Sequence, residues 1–182
     1  MFVHQTVALI PHPQTPPKDV YGIDVRWFET GDGRLVLRWL VKGADAVAAP
    51  PFSGKGRGDE LWQTTCGELF LKDRDGAGYR EFNFSPSERW AAYRFSSYRE
   101  GIAEDEDIPA PEVSCERGQF LFVLTAILDA ALLAEAAAAG LSAVIEEKDG
   151  TKSYWALAHA PGKPDFHDPA CFAMPLPAGE GQ

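Results

Sequence analysis

Four side chains within Leu61 to Gly101, LWQTTCGELFLKDRDGAGYREFNFSPSERWAAYRFSSYREG, have the chemistry to hold a small polar molecule: Glu68, Glu81, Asn83 and Arg94. Carboxylates, an amide and a guanidinium grip hydroxyl groups through charge-assisted hydrogen bonds. The indole rings of Trp62 and Trp155 offer flat faces for C–H surfaces to stack on. Sugars need this combination. Glu68 and Glu81 also admit an acid and base pair, since glycosidases place two carboxyls about 5–9.5 Å apart. No Ser-His-Asp or Cys-His arrangement with a local signature accompanies them.

These residues act together only if strands bring them to one face. Along GELFLKD, Leu69 and Leu71 alternate with Glu68, Phe70 and Lys72; along YREFNFS, Phe82 and Phe84 alternate with Tyr79, Glu81 and Asn83. The short link DRDGAG predicts an antiparallel pair in which Lys72 faces Tyr79, Phe70 faces Glu81 and Glu68 faces Asn83. A one-residue slip would mix polar and apolar faces. After the turn SPSER, WAAYRFS is expected to return with Phe84 opposite Ala91. That register puts Arg94 opposite Glu81 and turns Ala91, Tyr93 and Phe95 inward. The same face reads equally as a solvated sheet surface with cross-strand ion pairs worth about 0.2–1 kcal/mol each.

The rest of the chain fits an all-β domain. IDVRWFE and RLVLRWLVK alternate about Thr30-Gly31-Asp32-Gly33, which predicts a hairpin. QFLFVLTAIL is apolar on both faces, as a strand covered on both sides would be. Asp129 to Ala139 is rich in Ala and Leu and ends at Gly140, which predicts one short helix. LSAVIEEKDGTKSYWALAH predicts a final hairpin with Glu147 facing Lys152. The proline-rich PGKPDFHDPACFAMPLP is expected to be an extended edge or a covering segment. An antiparallel β-sandwich or jelly roll is the leading architecture. Residues 1–19 are expected to be a Pro-rich extended segment, 20–177 the domain, and 178–182 a flexible tail.

Composition narrows the function classes. A net charge of −10 argues against a nucleic-acid partner, which needs a basic surface. The acidic run Ala103 to Glu112 reads as a solvated loop, without EF-hand spacing. No apolar run approaches the roughly 20 residues of a membrane span, and the N-terminus lacks the basic region of an export signal, so a cytoplasmic location is expected. Gly54 to Gly58 lacks the Gly-Lys-Ser/Thr ending of a phosphate loop. Cys66, Cys115 and Cys171 show no metal or disulfide spacing and are expected to be buried free thiols.

LWQTTCGELFL, YREFNFSPSERWAAYRF, and LSAVIEEKDGTKSYWALAH followed by PDFHDPACF resemble the DOMON-like superfamily, which includes family-9 carbohydrate-binding modules and haem-binding domains. The resemblance is to a bacterial stand-alone branch and runs from Ile23 to Phe172. It implies a β-sandwich ligand-binding domain, and the leading expectation is a non-catalytic domain that binds a carbohydrate or similar polar ligand without a cofactor. Trp62, Glu68 and Asn83 match the sugar binders' order of a Trp, a strand-opening Glu and a next-strand Asn. Glu81 stands where they carry an arginine, with Arg94 or Arg80 as substitutes, and Trp155 is the candidate second platform. Haem would have only Met174 with His159 or His167. The alternative is an interaction module, a homodimer burying Trp62 and Trp155.

Overall fold

The structure, a computed structural model, describes residues 4–177. Within them the chain is all-β, one curled mixed sheet whose strands pair in the order β4-β7-β6-β5-β11-β12-β1-β2-β3-β10-β9. These are β1 (His4–Pro11), β2 (Gly22–Glu29), β3 (Arg34–Lys42), β4 (Gly56–Arg57), β5 (Cys66–Asp73), β6 (Tyr79–Phe84) and β7 (Arg89–Phe95). Then come β8 (Ala103–Glu104), β9 (Glu112–Arg117), β10 (Leu121–Asp129), β11 (Ala136–Glu146), β12 (Lys152–Ala156) and β13 (Met174–Pro175). Two-residue strands β8 and β13 lie off the path, against β7 and β11. The parallel pair β4 and β7 makes the sheet mixed.

Strand β1 joins the two halves. Its first residues pair with β2, and Ile10 and Pro11 pair with β12. Part of the Pro-rich N-terminal segment is therefore a strand of the sheet. Residues 18–20 are pinned from the other side, where Glu147 accepts the backbone N–H groups of Lys18, Asp19 and Val20. Lys152 consequently faces Glu146, whose carboxylate lies 3.9 Å from its ammonium, and not Glu147 as expected. The tail expected at 178–182 lies outside the described residues.

Curling brings the apolar faces of the halves together. Trp27, Leu37, Trp39 and Leu124 from one half share a core with Leu69, Phe82, Phe84, Trp90 and Leu141 from the other. Trp39 donates its indole N–H to Ser142 O at 3.0 Å, so its polar atom is satisfied inside that core. A Cβ on Gly67 would sit 2.9 Å from the Trp39 ring, so glycine is required there for this close approach.

Three expectations are corrected. The helix over Asp129 to Ala139 is a single 3-10 turn, Ala130–Leu133, followed by β11. Alanine favours helices, but small side chains here let the C-terminal segment pack closely: a Cβ on Gly140 would lie 3.0 Å from Phe172 Cδ1. The acidic run is not wholly solvated, because the Asp105 side chain is buried between Arg80 and Arg94. Cys66 and Cys171 are buried, but Cys115, on edge strand β9, is exposed.

Candidate functional site

Strands β5 and β6 pair with Lys72 opposite Tyr79, Phe70 opposite Glu81 and Glu68 opposite Asn83, the register expected from their alternation. Leu69 and Phe82 face the main core, so Glu68, Phe70, Glu81 and Asn83 share the other face. That face is neither open nor sealed. The segment around Phe166 to Phe172 folds across one side, setting His167 edge-on to Phe70 at 5.2 Å and Phe172 stacked on it at 5.7 Å. Beside this cover lies a cleft of about 560 Å³, a volume typical of small-molecule sites.

Glu68 and Glu81 form its floor. Tyr93 and Phe95 enter from β7, Tyr154 from β12, and Phe166 and His167 from the covering segment. Trp62 stands at the mouth on a 3-10 turn, Leu61–Gln63, and is 43% exposed. Two residues lining the cleft, Glu60 and Arg99, have left-handed backbone without being glycine, each with φ of 55°. Such conformations cost energy and concentrate at ligand sites.

The floor is an electrostatically loaded carboxyl pair. Glu68 is buried and accepts from Ser142 Oγ at 3.1 Å, the one donor it has among the described residues. Burial, and then the Glu81 charge, push its pKa well above the usual carboxylate range. Glu81 is also raised by burial, opposed by a 3.0 Å hydrogen bond from Asn83 Nδ2 and by the charge of Arg99. Asn83 is fully buried, and its Oδ1 has no donor.

A hydrogen-bonded chain orients His167 above this pair. Tyr79 Oη accepts the Arg99 N–H at 3.1 Å, leaving its own proton for His167 Nδ1 at 2.8 Å. His167 then carries its proton on Nε2, which faces Glu81 Oε2 at 3.6 Å. Burial, and then the charge of Arg99, hold the His167 pKa down to about 4, so the ring is neutral at pH 7. Arg99 itself is engaged by Asp165 at 2.7 Å.

Trp62, Glu68, Glu81 and Asn83 thus meet at or beneath one cleft; Arg94 and Trp155 do not. Arg94 lies opposite Arg80, and Glu81 lies opposite Tyr93, one residue off the expected register. The turn is tighter than assumed: Ser85 N–H bonds Arg89 O at 2.9 Å, with Glu88 in a left-handed conformation. Trp90 and Ala92 consequently face the main core, while Tyr93 and Phe95 face the cleft. Arg94 instead stands 3.2 Å from Asp105, half exposed. Trp155 is 3% exposed in the main core, its indole N–H donating to Ser153 Oγ, so neither a second platform nor a dimer contact is available from it. Its neighbour Tyr154 reaches the cleft, because adjacent strand residues alternate faces.

The sequence reading missed Tyr93, Arg99 and Asp165 as site residues. Correct parity in β7 would have found Tyr93; Arg99 and Asp165 are brought in by loops that no alternation predicts. The haem ligand pairs are not assembled. Met174 lies in the main core, on the opposite side of the sheet from His167, and His159 Nε2 meets Ile10 O at 2.7 Å. No helix among the described residues is long and apolar enough to cross a membrane.

No family model matches the chain, and no curated protein is similar to it in sequence. Its fold is similar to that in the 2.70 Å crystal structure of a candidate carbohydrate-binding protein from Bacteroides uniformis ATCC 8492. The TM-score is 0.64 at 14% identity, covering 93% of this chain and 84% of the other. At that identity the likeness is one of fold.

Proposed function

We propose that this chain is a non-catalytic binding domain of the DOMON-like kind, a β-sandwich that holds a carbohydrate or similar small polar ligand in the cleft over β5 and β6. One observation carries the reading: buried carboxyl groups at the floor converge with aromatic walls and an exposed indole in a cleft of about 560 Å³, with the Asn83 amide beneath the floor. Carboxyl groups bind sugar hydroxyls, and Trp62 and Tyr154 offer flat faces to the ring. The shared fold with a candidate carbohydrate-binding protein supports the same reading. Affinity is expected in the micromolar-to-millimolar range. Calorimetry against a panel of mono- and disaccharides tests it: binding weakened about tenfold or more in Trp62→Ala supports the proposal, and no heat from any sugar at millimolar concentration refutes it.

A second reading rests on the carboxyl pair itself. Glu68, whose pKa burial raises well above the usual carboxylate range, and Glu81 sit diagonally on neighbouring strands, as an acid and its partner would. Glycoside turnover that vanishes in Glu68→Gln would favour processing over binding.

A further inference from the structure

The cleft has a marked imbalance of charge and of hydrogen-bonding sense. Carboxyl groups line it at three levels: Glu68 and Glu81 on the floor, Asp165 on the covering side, Asp59 and Glu60 at the mouth. Besides neutral His167, Arg99 is the one basic side chain in the lining among the described residues. Arg99 is committed to Asp165, which also accepts from the Tyr98 hydroxyl. Arg99 pairs with Asp165 and its charge reaches only Glu81 besides, so five carboxyl side chains share one cation in the lining.

The atoms still lacking partners are acceptors. Glu68 has one donor, Ser142 Oγ, for its two oxygens, and its side chain opens on the cleft while almost wholly buried. Asn83 Oδ1 lies without a donor beneath the same floor. Glu81 Oε2 has His167 Nε2 only at 3.6 Å. An ammonium group offers three donors and no acceptor, the complement of this set. The walls agree, since the faces of Trp62, Tyr93 and Tyr154 attract cations through their ring quadrupoles. The chain's net charge of −10 adds attraction at long range.

We propose that the ligand of this cleft is cationic, a sugar carrying a free amino group, with its ammonium directed to Glu68 and Glu81 and its ring against Trp62. The sugar part rests on the reading above; the positive charge rests on the lining. An acetylated amine keeps the ring and loses the charge, and a uronate reverses the charge. Both are disfavoured. The ammonium favours the ionised form of the floor carboxyls.

Isothermal calorimetry at low ionic strength, with glucosamine, glucose, N-acetylglucosamine and glucuronate as probes and choline as a sugar-free cation, decides the matter. Glucosamine is expected to bind at least about tenfold more tightly than the three other sugars, the worth of one charge-assisted hydrogen bond. The preference should fall in Glu68→Gln and in Glu81→Gln, two variants so that one misfolded protein does not decide the outcome. Equal affinity for glucose, or tighter binding of glucuronate, overturns the charge inference and leaves the sugar reading standing. Choline binding with no response to any sugar overturns the sugar reading and leaves the charge preference. No response to any probe overturns both.

Discussion

Tyr79 Oη lies 2.8 Å from His167 Nδ1, and this bond ties the strand floor to the segment that covers it. The imidazole is fixed as the Nε2–H tautomer over Glu81, with burial keeping it uncharged. Nitrogen-15 spectra of the imidazole are expected to show that neutral tautomer throughout pH 5 to 7. An Nδ1–H signal would show that the relay runs the other way.

The same depressed pKa has a stability consequence. Between the ordinary histidine value of 6.5 and the folded value of about 4, the unfolded chain binds a proton that the folded chain refuses. The contribution of His167 is complete above the upper value and is lost as pH falls toward the lower, by up to roughly 3 kcal/mol. Urea denaturation of His167→Gln should show a shallower loss across that window. A slope identical to that of the unaltered protein would contradict it.

Glu68 works in the opposite direction. Its folded pKa is raised by burial and by Glu81, so its contribution is complete below the unfolded carboxylate value and is lost as pH rises toward the folded one. Glu68→Gln removes the titrating group and keeps the shape. The variant is expected to gain stability relative to the unaltered protein as pH rises above the ordinary carboxylate range, read as a rising difference in urea midpoints. A difference that stays flat with pH would show that Glu68 is ionised without penalty.

The two tryptophans first paired as platforms should behave unlike each other. Trp62 is 43% exposed on a turn, and Trp62→Ala is expected to change stability by under about 0.5 kcal/mol while weakening sugar binding about tenfold. Trp155→Ala empties a core position and should cost about 3–5 kcal/mol. Thermal melts and calorimetry on both variants separate the roles.

Asp105 holds Arg80 and Arg94, and the two arginines differ in burial, with side chains 10% and 50% exposed. Arg94→Ala should leave ligand affinity unchanged and cost no more than about 1 kcal/mol. Asp105→Ala leaves the buried Arg80 with only the exposed Glu135 as partner and should cost more, up to about 3–5 kcal/mol. Equal effects from both substitutions would refute this ordering.

Alternation carried much of the fold in the sequence. Ile23, Val25, Trp27, Leu35, Leu37 and Trp39 all lie in the core as their period-two pattern implies, and apolar alternation fixes β5 against β6. Turn geometry was the weak point. A three-residue turn at Pro86 to Glu88, one residue tighter than assumed, moved Arg94 off the polar face and brought Tyr93 onto it. Helix propensity misled at Asp129 to Ala139, where a 3-10 turn leads into a strand whose Gly140 packs closely on Phe172. His167 and Asp165 reach the site through a proline-rich segment whose path follows tertiary packing, and no local pattern encodes it.

The chain contains five tryptophans, and their indole N–H signals in a proton–nitrogen correlation spectrum test the central claim most directly. Titration with glucosamine and neutral sugars to millimolar concentration is predicted to move the Trp62 signal and leave those of Trp27, Trp39 and Trp155 in place. Signals that all stay fixed with every sugar, or shifts that spare Trp62 and fall on another indole, would contradict a sugar-binding cleft at this site.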